Sequence, residues 1–378
     1  MRELADLPKA HLHLHLTGGM RPTTLVELAA EQGRTLPPGL LDPASVDLDA
    51  TGLRGWNRFQ RLYDAARTVL LGPAEVTRVV HEIVEDQRAA GAGWLELQVD
   101  PSSYAGRLGG LQATVELVLS ALSEAGAVTG VGTALVLAAN RTRNPAEAET
   151  LARLAKRFAG HGVVGLGLSN DETRGDSREF AKAFRMARDA GLLALPHAGE
   201  LRGPRSVRAA VEVLGAARVG HGVRAVEEPG LLDLLAGRGV TCEVNPVSNV
   251  ALGVHASLAH SPVRALRAAG VGVALGADDP LLFRAGLLDV YGAARHALGL
   301  SDADLADLAR CSVQASTAPY DVRQPMLAGI DAWAGGRESA AGRAGAGVTR
   351  CATMGTHGYD DTRSTRGRWG RRTSRRLP

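Results

Sequence analysis

The fold is constrained most by an alternation along the chain, in which short apolar runs are followed by longer stretches of helical pattern. The short runs are mostly apolar and do not alternate cleanly with polar residues, which is typical of parallel strands covered on both faces. Eight runs are predicted to be strands, at residues 10–16, 93–99, 129–137, 163–168, 192–197, 219–221, 240–244 and 271–276.

This alternation favours an α/β fold in which eight βα units close into a (β/α)8 TIM-like barrel over residues 1–334. Extra helices are expected after the first strand, at 56–70 and 74–90, and after the eighth, at 281–297 and 301–313. The main alternative is an open doubly wound sheet, which would carry a Gly-x-Gly-x-x-Gly turn after its first strand. The sequence there reads HLTGGMRP, which is not that turn.

The composition excludes several classes of protein. With 45% hydrophobic and 22% charged residues, the chain can bury a large core, so it is not disordered as a whole. No apolar run is expected to span a membrane, and the N-terminus, MRELADLPKA, lacks the segments of a secretion signal. Three widely spaced cysteines provide neither a disulfide framework nor a Cys-x-x-Cys zinc site, so a cytoplasmic protein is predicted.

Residues 335–378 differ from the rest of the chain. They are rich in Gly, Ala and Arg with almost no large aliphatic residue, and they are predicted to form a disordered tail. From Arg337 onward ten arginines accompany three acids, although the whole chain has a net charge of +3, so the barrel is mildly acidic. A basic surface for nucleic acid would therefore have to lie on the tail, and a dispensable solvated extension is the favoured interpretation.

The first predicted strand carries three histidines, His11, His13 and His15, alternating with leucines. Regular strand geometry places the three imidazoles on one face, which we expect to point into the barrel. Several imidazoles on a buried face are costly unless something binds them. His13 and His15, nearest the catalytic end, are therefore predicted to bind a metal, and the deeper His11 is expected to be structural.

Polar residues also stand at the ends of three other strands, where a barrel places its catalytic groups. The fifth ends in PHAGE, with His197 and Glu200, and the sixth ends in GHG, with His221. The eighth ends in GADDP, with Asp278 and Asp279. Each motif alone is also common in turns and caps, but four such strand ends together indicate a reactive site.

Three imidazoles and one carboxylate suit a zinc ion that keeps a position for water, and such an ion would generate hydroxide near neutral pH. The predicted ligands are His13, His15, His197 and Asp278. The groups left to move protons are Glu200, His221 and Asp279.

Six segments resemble the adenosine deaminase group of the amidohydrolase superfamily. They read LPKAHLHLHLTG at 7–18, LSNDE at 168–172, PHAGE at 196–200, VGHG at 219–222, EVNPVSNV at 243–250 and GADDPLLF at 276–283. The resemblance implies a hydrolase acting on a C–N bond of a cyclic amidine, in which metal-bound hydroxide converts a 6-aminopurine nucleoside to the 6-oxo product and ammonia.

The resemblance also implies a role for each residue. One Zn²⁺ would be held by His13, His15, His197 and Asp278. Glu200 would give a proton to the ring nitrogen beside the attacked carbon, His221 would act as the base that orients the water, and Asp279 would contact that water and the imidazole ring of the purine. The Pro-Cys-x-x-Cys signature of cytidine-type zinc deaminases is absent from the sequence, which excludes that class.

Several residues depart from the family. Thr17 replaces an acid near the ribose 5′-hydroxyl, and Gly167 replaces another acid. Asn170 replaces the glycine whose backbone meets the purine, His11 replaces a glutamate and Asn245 a cysteine. None of these is a metal-binding or proton-transfer residue, so deamination is expected to be intact. The residues expected to contact the substrate are His15, Thr17, Asn170 and Asp279.

These departures leave the small-molecule purine substrate open. Adenosine or a 5′-modified adenosine, such as aminodeoxyfutalosine or methylthioadenosine, is the leading candidate, and free adenine is an alternative. Loss of negative charge and bulk at Thr17 and Gly167 predicts that a larger or anionic 5′ group is tolerated. An inactive binding protein on the same scaffold is disfavoured, because all seven metal-binding and proton-transfer residues are present.

Overall fold

The computed structural model describes residues 1–43, 46, 48–52 and 55–335. Within these residues, eight parallel strands form a sheet in the order β1 to β8, so each strand pairs with its neighbours in the sequence. Their bounds are Lys9–His15 (β1), Ala92–Val99 (β2), Gly132–Asn140 (β3), Val163–Ser169 (β4), Leu193–Ala198 (β5), Arg218–His221 (β6), Thr241–Val244 (β7) and Gly272–Leu275 (β8).

The sheet closes because the chain that follows β8 pairs with β1. The backbone N–H of His15 donates to the carbonyl of Asp278 at 3.1 Å, and the N–H of Asp278 donates to the carbonyl of His13 at 3.1 Å. Helices pack against the outside of the strands. The predicted (β/α)8 TIM-like barrel is confirmed.

Many helices begin at a proline, which suits the first helical position because the backbone N–H is not needed there. Their bounds are Pro22–Glu31 (α1), Pro38–Leu41 (α2), Gly55–Arg67 (α3), Pro73–Ala89 (α4), Leu111–Thr129 (α5), Pro145–Arg157 (α6), Ala181–Asp189 (α7), Pro204–Glu212 (α8), Pro229–Gly237 (α9), Pro246–Ala251 (α10), Val263–Ala268 (α11), Pro280–Phe283 (α12), Leu287–His296 (α13), Asp302–Ala315 (α14) and Tyr320–Gly335 (α15). The rest of the predicted tail, 336–378, lies outside the described residues.

Extra helices follow the first and last strands, as the sequence predicts. The single helix expected at 281–297 is wrong, however, because α12 ends at Phe283 and α13 begins at Leu287. Arg284 lies between them with φ 53°, a left-handed conformation that cannot continue a right-handed helix.

The third strand begins later than predicted. Helix α5 continues to Thr129, whose hydroxyl donates to the carbonyl of Ala125 at 2.8 Å. Gly130 then ends the helix with φ 76°, a conformation that glycine adopts without steric cost. Residue 129 is therefore helical, and β3 starts only at Gly132.

The prediction that three histidines share the inner face of β1 is wrong for His11. The register between β1 and β2 shifts between His11 and Leu14, so His11 lies opposite Leu95 and Leu14 opposite Leu97. Both β2 leucines pack with the outer helices. A bulge adds one residue to one strand of a pair and so changes which side chains share a face.

Outside the barrel, His11 takes a structural role. Its Nδ1 lies 2.7 Å from Oε1 of Gln87 on α4, and its Nε2 accepts a hydrogen bond from the N–H of Ala277 at 3.0 Å. Both ring nitrogens are therefore engaged. Burial lowers the pKa of His11 to about 4, so the ring is neutral at neutral pH.

One helix among the described residues, α5, is long and apolar enough by length and composition to cross a membrane, which the sequence analysis did not expect. In the barrel this helix packs against α4 and β3. Its buried residues include Val115, Val118 and Leu122, and Glu116 and Glu124 lie outside this set. Its composition is thus accounted for by an apolar face packed on the sheet.

Candidate active site

The predicted reactive residues meet at the carboxyl ends of the strands, as expected for a barrel. His15 and His221 are the last residues of β1 and β6, and Asp278 follows β8. Helix α3 provides aromatic side chains to the facing wall, among them Trp56 and Phe59. One pocket is lined by His15, His197, Glu200, His221, Asp278 and Asp279.

His13 lies at the bottom of this group and is fully buried. Its Nδ1 lies 2.9 Å from Oε2 of Glu243 on β7, and its Nε2 lies 3.3 Å from Oδ1 of Asp278. Burial alone would lower the pKa of His13, but the two carboxylates outweigh it and raise the pKa to about 10. Because Glu243 holds the ring through Nδ1, Nε2 is the nitrogen that would bind a metal ion at this point, and the ring would give up its Nε2 proton to do so.

Four buried side chains, His13, His197, His221 and Asp278, bring one ligand atom each within 4.8 Å of one another. His15 borders the same point, because its Nε2 lies 3.2 Å from Nε2 of His197 and 3.3 Å from Oδ1 of Asp278. Imidazole nitrogen and carboxylate oxygen are ligands that suit zinc. This arrangement therefore fits a metal ion and offers five donor side chains.

Asp278 is held in one orientation. Ser248 donates its hydroxyl to Oδ2 at 2.6 Å, which leaves Oδ1 facing His13 and His15. Burial would raise the pKa of Asp278, but its contacts with these histidines outweigh burial and hold the pKa well below its usual range. The side chain is therefore an anion beside the imidazoles.

His221 turns one ring nitrogen toward Glu200. Its Nδ1 lies 3.0 Å from the amide Nδ2 of Asn249 and 3.4 Å from that of Asn245, and its Nε2 lies 3.7 Å from Oε1 of Glu200. Burial lowers the pKa of His221 to about 3, so its imidazole is neutral at neutral pH. A neutral imidazole beside a carboxyl group can orient a water and exchange a proton with it.

Glu200 and Asp279 are buried acids. Burial raises the pKa of Glu200 well above its usual range, and the carboxylates of Asp278 and Glu172 add to the effect. Burial and the neighbouring Asp278 raise the pKa of Asp279 in the same way. A raised pKa lets a carboxyl group hold its proton to a higher pH and donate it to a substrate, so the site contains potential acids as well as potential ligands.

Backbone conformation at the site is unusual. His221, Asp278 and Asn170 have φ values of 63°, 62° and 78°, which residues with a Cβ rarely adopt. Such conformations cost about 1–3 kcal/mol each and persist where the surrounding structure fixes them, often at functional sites. All three residues were singled out from the sequence as site candidates.

Thr17 does not line the pocket surface. It is buried, and its Oγ1 lies 2.6 Å from the hydroxyl of Tyr104, whose ring lines the pocket instead. Tyr63 of α3 also lines the pocket, and the guanidinium carbon of Arg67 lies 5.5 Å and 5.9 Å from the ring centres of Tyr63 and Tyr104. Thr17, which replaces an acid of the family, was expected to leave space for a 5′ group. Tyrosine side chains lie at that position instead.

Asn170 joins two walls of the pocket. Its Oδ1 accepts a hydrogen bond from Nε1 of Trp56 at 3.2 Å, and its Nδ2 donates to Oε1 of Gln60 at 3.1 Å. Trp56 and Gln60 belong to α3, whereas Asn170 follows β4. The side chain that replaces a glycine in the family pattern thus holds α3 over the pocket.

Sequence reasoning missed two kinds of residue around the site. Glu243, Glu172 and Gly18 lie within the matching segments, but the sequence did not indicate a role for any of them. A Cβ on Gly18 would lie 1.7 Å from Oδ1 of Asp279, so glycine is required for that carboxyl to occupy its position. A charged residue inside an apolar strand, as Glu243 is in TCEV, is the signal that could have been used.

Comparisons with known proteins show the family of this chain. The chain matches the family model Adenosine deaminase over residues 8–333. A putative adenosine/adenine deaminase of Streptomyces coelicolor is 55% identical over 337 residues, covering 88% of this chain and 98% of the relative.

Solved structures match over a similar range. The adenine deaminase of Arthrobacter aurescens has a TM-score of 0.80 at 28% identity, covering 87% of this chain and 99% of that one. Arabidopsis ADAL complexed with IMP has a TM-score of 0.77 at 25% identity, covering 87% of this chain and 97% of that one. The chain therefore belongs to the adenosine deaminase family and is a hydrolase that acts on C–N bonds in cyclic amidines.

Proposed function

We propose that this protein is a zinc-dependent aminohydrolase that converts a 6-aminopurine to the 6-oxopurine and ammonia. The proposal rests on one observation: a candidate metal-binding cluster and a candidate proton donor lie next to each other in one pocket. A cluster of imidazoles and a carboxylate lies beside Glu200, a buried acid whose pKa is raised well above its usual range. Deamination of a purine requires both an activated water and a proton donor.

His13, His15, His197 and Asp278 would hold the zinc ion. His15 is favoured over His221 as the fourth ligand because its Nε2 contacts both Asp278 and His197, whereas Nε2 of His221 faces Glu200. Bound there, zinc would supply a water that is nucleophilic at neutral pH.

The protons would be moved by the side chains around the metal. Glu200 gives its proton to the purine ring nitrogen beside the attacked carbon, so that this nitrogen accepts the displaced electron pair. His221, held through Nδ1 by Asn249, orients the attacking water with its Nε2. Asp279 contacts the same water and the imidazole ring of the purine.

Two classes of 6-aminopurine compete as the substrate. The first is adenosine or a 5′-modified adenosine, which is supported by the resemblance of the site residues to those of adenosine deaminases. The second is free adenine, favoured by the contact of Tyr104 with Thr17, because these side chains fill the place where an acid would face a ribose 5′-hydroxyl. Relatives named adenine deaminase support the same alternative. An inactive scaffold is disfavoured because the structure brings all seven candidate groups together.

A substrate screen tests the proposal. Adenine, adenosine and 5′-substituted adenosines are each incubated with the zinc-loaded protein, and loss of purine absorbance is measured together with ammonia release. The proposal expects equal molar amounts of ammonia and 6-oxopurine from at least one of them. If none of these compounds releases ammonia, the proposed substrate class is wrong.

We also propose that the enzyme works in the cytoplasm and that the arginine-rich tail does not bind nucleic acid. The cysteines among the described residues, Cys242 and Cys311, are free thiols, which suits a reducing compartment. Comparison of nucleic-acid binding by the full chain and by a chain ending at Arg337 tests the second proposal. Binding that is lost with the tail would contradict it.

A further inference from the structure

The loop that carries Glu200 is held by one carboxylate. Oε2 of Glu172 accepts hydrogen bonds from the backbone N–H groups of Glu200, Leu201 and Arg202, at 2.9, 2.6 and 2.9 Å. Oε1 accepts from the N–H of Gly199 at 2.6 Å. Four consecutive backbone donors therefore point at a single side chain.

A fifth donor joins the loop to the following helix. The hydroxyl of Ser206, in the first turn of α8, donates to Oε1 of Glu172 at 2.5 Å. Glu172 is buried and forms no ion pair with an arginine or lysine among the described residues. Consecutive N–H groups that converge in this way form a concave site for an anion, and here the anion belongs to the protein itself.

The loop conformation depends on this anchor. Gly199 has φ 71°, and a Cβ there would lie 2.3 Å from Cγ2 of Val207, so the chain turns sharply just before Glu200. Without the carboxylate, four N–H groups would lose their partner, and two of them, those of Gly199 and Glu200, are buried. A buried donor without a partner is unfavourable, so the loop would rearrange to recover hydrogen bonds.

We propose that Glu172 is a positioning residue for the reaction. It fixes the backbone of the loop so that the Glu200 side chain stays beside Nε2 of His221, and it acts on the rate through Glu200 alone. The inference rests on the proposed role of Glu200 as proton donor. Glu172 itself lies behind the loop and does not line the substrate pocket.

The direct test is a double-mutant cycle with Glu172→Gln and Glu200→Gln. Glutamine keeps the size of Glu172 but turns an NH₂ group toward N–H donors, so kcat should fall about a hundredfold, the usual effect of misplacing a reacting group. KM should change by less than about threefold, and the protein should still bind one zinc ion, because no ligand is altered. In the Glu200→Gln background, Glu172→Gln should cause no further loss of kcat.

Controls separate positioning from general destabilisation. Asp304→Asn removes a carboxylate that accepts hydrogen bonds from Ser301 at the start of α14 and that does not line the pocket, and it should lower stability without changing kcat. Ser206→Ala removes one of the five bonds and should lower kcat by about threefold at unchanged KM. If Glu172→Gln does not fold, Ser206→Ala alone tests the positioning role.

The outcomes distinguish the two proposals. If Glu200→Gln retains full kcat, the proposed proton donor is wrong. If Glu200→Gln loses activity while Glu172→Gln or Ser206→Ala retains full kcat, the positioning role is wrong. Additive losses in the double variant would also overturn it, because they would show that Glu172 affects the rate by a route other than Glu200.

Discussion

Beneath the candidate metal centre, buried charges connect His13 to several strands. Glu243 contacts His13 through one oxygen and accepts from Nε of Arg218 at 2.6 Å through the other. Arg218 also donates to Glu96 and, at 2.8 Å, to the carbonyl of Ala315. Because these groups are buried, removing one charge would leave its partners uncompensated, at a typical cost of about 3–5 kcal/mol. His13 is thus oriented by groups that the substrate does not touch.

Replacement of the proposed proton donor is the sharpest prediction for a single residue. Glu200→Gln should keep one zinc ion per chain, because Glu200 is not among the proposed ligands, and should lose at least about a hundredfold in kcat. Metal content and steady-state rate are measured on the same sample. Loss of zinc in this variant would show that Glu200 is a ligand and not the acid.

Gly18 provides a second prediction. Gly18→Ala would place a Cβ 1.7 Å from Oδ1 and 2.7 Å from Cα of Asp279, so the carboxyl and the backbone of Asp279 must move, and kcat/KM should fall by at least about tenfold. Gly230→Ala in α9 is the matched control, because an added Cβ there meets nothing within 4 Å. Equal kcat/KM in wild type and Gly18→Ala would contradict the proposed contact of Asp279 with the substrate.

The sequence allowed prediction of those candidate site residues that lie at strand ends. Motifs on β5, β6 and β8 converge because parallel strands end at one rim, whatever the loops between them do. Thr17 could not be placed in this way, because its partner Tyr104 comes from a segment 87 residues away. The prediction that Thr17 lies near the ribose did not include this tertiary contact, because local sequence patterns do not encode it.

Among the elements, β1 shows how a local irregularity changes a prediction. Alternation in HLHLH is correct for His13 and His15, but the bulge places His11 outside the barrel, where Gln87 binds it. A bulge is set by pairing with the neighbouring strand, so the sequence of β1 alone does not reveal it. The prediction of helix ends was limited for a similar reason. Glycine in the sequence often indicates a left-handed helix end, but a residue such as Arg284 that adopts this conformation cannot be recognised from its type.

The start of α14 gives a prediction for an element. Ser301 caps this helix, because its hydroxyl accepts from the N–H of Asp304 at 3.2 Å while the Asp304 carboxylate accepts from the Ser301 N–H at 2.9 Å. Ser301→Ala should therefore lower the free energy of unfolding by about 1 kcal/mol in urea denaturation. Ser120→Ala, on the exposed side of α5, should change it by less than about 0.5 kcal/mol. Equal effects of the two substitutions would contradict the capping role.

For the whole molecule, Lys9 links stability to pH. Its ammonium donates to the carbonyls of Leu4 and Ala90 at 2.9 and 2.6 Å, and burial lowers its pKa from 10.5 to about 7. Between these two values the unfolded chain binds a proton that the folded chain has released, so stability rises with pH through this window. Below pH 7 both states are protonated and the contribution no longer changes.

We therefore expect the free energy of unfolding to rise between pH 7 and pH 9 more steeply in wild type than in Lys9→Met, by up to about 1.4 kcal/mol per pH unit. Urea denaturation at three pH values measures both slopes. Lys156→Met, at an exposed position on α6, should leave the wild-type slope unchanged. Parallel curves for wild type and Lys9→Met would show that the buried ammonium keeps its ordinary pKa.

As an enzyme, the whole molecule is proposed to bring a metal and a proton donor to a 6-aminopurine in one barrel. Ammonia release from adenine and from adenosine tests this most directly, measured on the zinc-loaded protein and again after chelation and reloading. We expect turnover of at least one of the two compounds, loss of that turnover when the metal is removed, and its return with one equivalent of zinc. Full turnover in metal-free protein, or no ammonia from either compound at any zinc content, would contradict the proposed function.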